Sequence, residues 1–160
     1  MGSGQTGLIT KNKMEKILLA MDGSDNSQRA LKKTIELALP LQAEVTVLTV
    51  VHRVPFYGYD LETGGYDSTM MQKDIISELE RAAQKNLEEA EEKLKKAGLT
   101  AKTMIKHGHP ADTICRETEE GEYDLVILGS RGLGGFKKFF LGSVSNRVAN
   151  YAQSSVLIVK

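Results

Sequence analysis

Residues 124–145 read DLVILGSRGLGGFKKFFLGSVS, and this stretch indicates the fold of the whole chain. It begins with a short apolar run, continues with a glycine-rich segment and ends where a helix is expected to start at Ser143. A short apolar run bounded by turn residues is typical of a strand that is buried on both faces. The stretch therefore predicts a buried strand, a glycine-rich loop and a helix, which is a repeating part of parallel α/β sheets.

The same alternation of strand and helix extends outward in both directions. The predicted strands are Lys16–Asp22, Glu44–Val51, Lys102–Lys106, Asp124–Leu128 and Ser155–Val159. The predicted helices start at Ser24 or Asp25 and stop at Pro40, run over Thr69–Ala97 up to Gly98, follow Pro110, and span Ser143–Ala152. Strands that alternate with helices are joined by right-handed crossovers. We therefore predict an α/β fold, a doubly wound five-stranded and mainly parallel sheet with helices on both faces.

The composition predicts a soluble domain in a reducing compartment. The 160 residues hold 21 Lys and Arg and 21 Asp and Glu, so no overall charge favours a nucleic acid or a membrane as partner. The single cysteine, Cys115, is expected to be an inert helix residue and fits a cytoplasmic location. We expect residues 1–13 to be either a flexible leader or a remnant of the expression vector, without the apolar core of a signal peptide. Residues 14–160 are expected to form the domain, with a long loop at residues 55–68.

The glycine-rich segment has the chemistry of a phosphate site. Glycines allow successive backbone N–H groups to approach an anion, and Gly142 and Ser143 lie where a helix N-terminus is predicted. Arg131 adds positive charge, as do Lys137 and Lys138. The spacing fits neither a Walker A loop, which needs a lysine after its second glycine, nor a dinucleotide fingerprint after the first strand.

Doubly wound sheets bind ligands outside the carboxyl ends of their strands, where the strand order reverses. This rule points to Asp22–Ser24 and Gly129–Ser145 as two sides of one site. Asp22 is expected either to contact a ligand or to cap the next helix. His107 and His109 are interpreted as surface histidines, because a metal site would need a third ligand.

The spacing Gly129-x2-Gly132-x9-Gly142-Ser143 resembles the motif of ATP-binding universal stress proteins. The likeness extends to residues 16–24 (KILLAMDGS), 108–114 (GHPADTI) and 154–159 (SSVLIV), and so covers about residues 15–160. The resemblance implies a Rossmann-like nucleotide-binding domain with strand order 3-2-1-4-5.

It also implies a set of nucleotide-binding residues. These are Ala20, Met21, Asp22, Val50, Leu128, Gly129, Arg131, Gly132, Gly142, Ser143, Val144 and Ser145. By this resemblance, Ala20 and Met21 line the base pocket, and Asp22 accepts hydrogen bonds from the ribose or adenine side. The backbone of Val50 pairs with the adenine edge. Residues 128–132 surround the ribose and phosphates, and residues 142–145 hold the triphosphate.

The resemblance implies a regulatory protein of the stress response that binds ATP, with AMP or ADP as ligands it can retain and Mg²⁺ as a companion ion. Two alternatives stay open at this point: a slow ATPase or nucleotidyl transferase, and a dimeric scaffold without ligand. In the implied strand order, residues 155–159 form an apolar edge strand, which is an aggregation hazard unless it is covered. We therefore expect a homodimer that pairs these strands across a two-fold axis.

Overall fold

The computed structural model of the chain describes residues 14–52, 68–134 and 141–160. The predicted leader at 1–13 lies outside the described residues, as does the predicted loop at 55–68 except for Ser68, which begins a helix. The strands are β1 (Lys16–Ala20), β2 (Glu44–His52), β3 (Ala101–Gly108), β4 (Leu125–Gly129) and β5 (Ser155–Val159). The helices are α1 (Asp25–Leu41), α2 (Ser68–Lys96), α3 (Pro110–Glu120) and α4 (Ser143–Tyr151).

The five strands form one sheet in the order β3-β2-β1-β4-β5, and every neighbouring pair is parallel. The order reverses at β1, whose neighbours are β2 on one side and β4 on the other. The predicted fold class and strand order are therefore confirmed. β3 and β5 are the two edge strands.

Each face of the sheet carries its own core, because successive side chains of a strand point to opposite faces. On one face, Ile17 and Leu19 of β1 pack with Leu31 of α1 and Leu87 of α2. On the other face, the side chains of β1, β2 and β4 pack against α3 and α4. That second core contains Leu18, Leu48, Ile114, Val126 and Val148, all of them buried.

Two helix ends show how local sequence sets the boundaries. Gly98 has a φ of +85°, and the N–H of Leu99 donates to the carbonyl of Leu94 at 2.9 Å, so α2 ends in a glycine cap as predicted. The prediction that Pro40 stops α1 is wrong, because the helix continues to Leu41. Leu41 is the last helical residue, one position beyond the proline. Gln42 is the C-cap and has a φ of +53°.

Cys115 lies on α3, as predicted, and is half-buried. Burial raises the pKa of the Cys115 thiol, and the nearby Asp112 carboxylate raises it further. Because the thiolate is the reactive form, this environment lowers the reactivity of the thiol at neutral pH.

Candidate functional site

A cavity of about 870 Å³ lies at the carboxyl ends of β1, β2 and β4, where the strand order reverses. This volume is within the range of small-molecule sites in proteins. All twelve residues expected from the sequence line it: Ala20, Met21, Asp22, Val50, Leu128, Gly129, Arg131, Gly132, Gly142, Ser143, Val144 and Ser145. The structure therefore brings together residues that are up to 125 positions apart in the sequence (145 − 20 = 125).

Further residues line the cavity that the sequence analysis did not select. They include His52, Pro110, Ile114, Leu133 and Leu141. The alternation of side chains along β2 was a usable signal for His52, because His52 lies two residues beyond Val50 on the same face. Pro110 and Ile114 belong to the GHPADTI segment, but the sequence did not indicate that α3 borders the cavity.

One end of the cavity, which we call the glycine end, is formed by residues 129–134 and 142–145. The carbonyl of Ser130 joins its two segments: it accepts from the N–H of Gly142 at 2.8 Å and from the hydroxyl of Ser145 at 2.8 Å. The N–H of Ser130 donates to the carbonyl of Val159 at 2.7 Å. The start of α4 is therefore held directly against the ends of β4 and β5.

The first turn of α4 faces the glycine end with backbone N–H groups. Gly142 occupies the N-cap position in an extended conformation and supplies no side chain to cap the helix. The N–H groups of Ser143, Val144 and Ser145 precede the first intrahelical bond, which runs from the N–H of Asn146 to the carbonyl of Gly142 at 2.9 Å. Such a helix start carries a partial positive charge and is suited to bind an anion.

The hydroxyl of Ser145 is used within the protein. Ser145 is 2% exposed, and its Oγ lies 2.8 Å from the carbonyl oxygen of Ser130 and 3.0 Å from that of Gly142. Ser143, in contrast, is exposed and lines the cavity, and its hydroxyl makes no such bond to the described residues. The two serines of the motif therefore have different local roles.

Asp22 links the two loops that border the cavity. Its Oδ1 accepts from the N–H of Ser24 at 3.0 Å, and its Oδ2 accepts from the N–H of Leu133 at 3.1 Å. The alternative that Asp22 caps α1 is wrong: the N-cap is Ser24, whose Oγ accepts from the N–H of Ser27 at 3.2 Å. The carboxylate instead fixes the glycine-rich segment to the turn after β1.

The glycines of the motif stand where a side chain would collide with neighbouring atoms. A Cβ on Gly132 would lie 2.4 Å from Oδ2 of Asp22, and a Cβ on Gly129 would lie 2.8 Å from the backbone of Asn26. A Cβ on Gly142 would lie 3.3 Å from the Cα of Arg131. Gly129 is therefore required by close backbone packing, whereas an added side chain at Gly132 would displace the Asp22 carboxylate and one at Gly142 would need a small shift of Arg131.

The opposite end of the cavity, which we call the α3 end, is formed by Val50, His52, Pro110 and Ile114. β1 ends at Ala20, and the N–H of Met21 donates to the carbonyl of Leu48 at 2.9 Å. Backbone groups two residues apart on a strand point to the same side. The N–H and carbonyl of Val50 therefore face the space beyond the end of β1, between apolar side chains.

The two histidines at the end of β3 and the start of α3 have different partners. Nε2 of His107 lies 2.8 Å from Glu80 of α2, whereas Nδ1 of His109 lies 3.5 Å from Asp112 of α3. Within the described ranges, no group of three or more His, Cys, Asp or Glu side chains is arranged to hold a metal ion. In the same part of the chain, no helix has the length and hydrophobicity needed to cross a membrane.

Comparison with known proteins agrees with the motif. The sequence profile of the universal stress protein family matches residues 13–160. The universal stress protein YxiE of Bacillus subtilis is 36% identical over 145 residues, which are 91% of this chain and 98% of YxiE.

Solved structures share the fold. UspA of Lactobacillus plantarum has a TM-score of 0.80 at 22% identity and covers 94% of this chain and 100% of its own. A family protein of Arabidopsis thaliana with AMP bound has a TM-score of 0.62 at 22% identity and covers 91% of each chain. Two more, one in complex with cAMP and one from Archaeoglobus fulgidus in complex with dAMP, have TM-scores of 0.68 and 0.61 at 24% and 21% identity, and each covers 92% of this chain and 98% of its own.

The profile match over nearly the whole chain, the extended identity to YxiE and the glycine motif at the carboxyl ends of the strands agree with one another. This chain belongs to the universal stress protein family.

Proposed function

We propose that the protein binds ATP in the cavity and acts as a nucleotide-dependent regulator of the stress response in the cytoplasm. The triphosphate lies at the glycine end, on the first-turn N–H groups of α4 with Arg131 nearby. The ribose lies beside Asp22 and Gly132, and the adenine lies at the α3 end against Val50. AMP and ADP occupy the same site with fewer phosphate contacts.

The observation that carries this proposal is the start of α4. Ser143 and Val144 of this helix start line the cavity, and the Ser130 hydrogen bonds hold the helix start against the end of β4. Preorganised amides at a helix start favour a negatively charged group without a counter-ion from the protein. Asp22 is the one acidic side chain among the described cavity residues, and its two oxygens already accept backbone N–H bonds.

The ligands of related structures support an adenine nucleotide. The neighbours described above hold AMP, cAMP and dAMP, which share the adenine base and differ in the sugar and phosphate. At the α3 end, the N–H and carbonyl of Val50 are a donor and an acceptor on one strand edge, which matches the N1 acceptor and the 6-amino donor of adenine. Guanine presents the opposite pattern at these two positions.

Mg²⁺ would be held mainly by the phosphates of the nucleotide. Mg²⁺ prefers oxygen ligands, keeps several waters and is commonly bound by one or two carboxylates together with substrate phosphates. Only Asp22 offers a carboxylate among the described residues of the cavity. The residues present therefore suit a nucleotide that arrives as its magnesium complex.

Isothermal titration calorimetry tests the proposal. The purified chain is first denatured and refolded to remove any retained nucleotide, and is then titrated with ATP, AMP and GTP in the presence of Mg²⁺. We expect one site per chain, tighter binding of ATP than of AMP, and at least about tenfold weaker binding of GTP, since a buried mispaired donor or acceptor costs about 1–3 kcal/mol. Absence of heat with millimolar ATP would refute the proposal.

Homodimer formation is the second part of the proposal. β5 is an edge strand whose residues from Val156 to Val159 are apolar and only half-buried in the single chain. The other edge strand, β3, carries Lys102 and Lys106, and edge lysines oppose pairing with another sheet. We therefore place the two-fold interface at β5.

The backbone of β5 offers a specific test. Ser155 donates to Asp124, and Val159 accepts from Ser130, so odd-numbered residues of β5 bond to β4 and the N–H of Val156 points away from it. Val156→Pro removes only the outward donor, whereas Val156→Ala is the matched control that keeps it. We expect sedimentation to show a dimer for the control and a monomer for the proline variant. A dimer in both would contradict pairing through β5.

A further inference from the structure

Four side chains in contact with one another run from the α3 end of the cavity to α4. The first member is His52, the last residue of β2, whose side chain follows those of Leu48 and Val50 along one face of the sheet. All three of these residues line the cavity. The imidazole of His52 is therefore the last side chain of this row and stands at the mouth of the α3 end.

The second member is His109, whose ring contacts that of His52 edge to face. The ring centroids lie 5.9 Å apart at an interplanar angle of 63°. Gly108 pairs with His52 in the sheet and has a φ of +151°, and a Cβ on Gly108 would lie 2.7 Å from Oγ1 of Thr113. The turn that directs His109 toward His52 therefore requires glycine at position 108.

The third and fourth members are Asp112 and Arg147. Oδ2 of Asp112 lies 3.5 Å from Nδ1 of His109, and Oδ1 accepts from Nε of Arg147 at 2.8 Å. The guanidinium of Arg147 also lies over the ring of Tyr151, 5.5 Å from its centroid. One carboxylate oxygen of Asp112 thus bonds to Arg147 of α4, and the other lies beside the imidazole of His109 at the start of α3.

Stability does not account for this chain of contacts. The side chains of His109, Asp112 and Arg147 are 55%, 52% and 52% exposed. Ion pairs with this exposure contribute about 0–1 kcal/mol to folding. What the contacts share is their location, because they connect α4 to two imidazole rings at the border of the cavity.

We propose that His52 contacts the nucleobase and sets the preference for a planar heteroaromatic group at the α3 end, and that His109, Asp112 and Arg147 are positioning residues for its ring. This inference rests on the proposed nucleotide-binding function. A base that pairs with the backbone of Val50 lies close to His52, because His52 is two residues further along the same strand and lines the same cavity. Base–aromatic contacts of this kind are sequence-tolerant and contribute about 1–3 kcal/mol each.

The test compares ATP with inorganic tripolyphosphate, which has the same phosphates and no base. Calorimetry is carried out on the full chain and on the variants His52→Ala and His52→Phe. We expect His52→Ala to weaken ATP binding about tenfold and to change tripolyphosphate binding less than about twofold. His52→Phe keeps an aromatic face and is expected to restore most of the affinity for ATP.

A double-mutant cycle tests the positioning residues. We expect Asp112→Asn to weaken ATP binding about threefold in the full chain, and to have no further effect when His52 is already alanine. Thermal unfolding of each variant verifies that the fold is retained.

The outcomes separate this inference from the proposed function. If the full chain binds neither ATP nor tripolyphosphate, the proposed function fails and the inference fails with it. If the full chain binds ATP, but His52→Ala leaves the affinity unchanged or weakens both ligands equally, His52 does not contact the base. Equal effects of Asp112→Asn with and without His52 would overturn the positioning role.

Discussion

The two ends of the cavity are built in different ways. The glycine end consists of backbone groups, and the bonds that shape it involve the Ser130 carbonyl, the Ser145 hydroxyl and the Asp22 carboxylate. The α3 end is lined mostly by side chains, with Val50 and Ile114 packed in the core and His52 at the mouth, although the N–H and carbonyl of Val50 also face it. Backbone sites tolerate little added volume, whereas a side-chain site changes its affinity gradually as the side chains change. Mutations at the glycine end should therefore change ligand affinity abruptly, and mutations at the α3 end should change it gradually.

The largest effect is expected from Gly132→Ala at the glycine end. The added Cβ would lie 2.4 Å from Oδ2 of Asp22, so either the loop or the carboxylate must move. We expect calorimetry to show at least about thirtyfold weaker ATP binding, which corresponds to roughly 2 kcal/mol. The matched control is Gly98→Ala, whose Cβ meets nothing within 4 Å and which lies outside the cavity.

The Gly98→Ala control separates a general loss of stability from a local change at the binding site. Gly98 has a φ of +85°, so alanine there is expected to lower the free energy of unfolding by about 1 kcal/mol and leave ATP binding unchanged. If both alanine variants weakened ATP binding alike, loss of stability would explain the result and the contrast between the two ends would not stand.

The next largest effect is expected from Asp22→Asn. An amide has one acceptor oxygen, so it cannot accept from both Ser24 and Leu133, and one backbone N–H loses its partner. We expect urea denaturation to show a free energy of unfolding about 1–2 kcal/mol lower, and ATP binding to weaken about tenfold. Unchanged stability would show that the carboxylate does not hold the two loops together.

A smaller effect is expected from Ser145→Ala, and it should contrast with Ser143→Ala. Removal of the buried Ser145 hydroxyl takes away a bond to Ser130 and should lower the free energy of unfolding by about 1 kcal/mol. Ser143 is exposed, so its alanine variant should keep full stability and weaken ATP binding about two- to threefold. The assignment of roles would be wrong if chemical denaturation showed the loss of stability for Ser143→Ala and calorimetry showed the loss of binding only for Ser145→Ala.

The smallest effect on binding is expected from Ile114→Val at the α3 end. Ile114 is 4% exposed and packs in the core, so loss of one methylene should lower the free energy of unfolding by about 0.5–1.5 kcal/mol. ATP affinity should change less than about threefold, because the side chain only borders the cavity. A loss of binding as large as that of Gly132→Ala would show that the two ends respond to volume in the same way.

Much of this molecule is readable from its sequence. All five strands are predicted to within a few residues, and the buried strands β1, β2 and β4 are the clearest because their apolar runs end at turn residues. The cavity residues were expected from the resemblance of the glycine motif and its companion segments to the universal stress protein family, and all twelve line the cavity. Helix boundaries differ from the prediction by one residue: α1 runs past Pro40 to Leu41, and α2 spans Ser68–Lys96 rather than Thr69–Ala97.

The sequence by itself therefore determined the order of elements, the sheet and the segments that border the cavity, because these depend on local periodicity and on glycines at short spacing. Only the tertiary structure decided that Asp22 joins two loops and that His52, His109, Asp112 and Arg147 form one chain of contacts. Those contacts join residues from separate elements across the sheet. Their existence depends on distances and side-chain directions that no local pattern encodes.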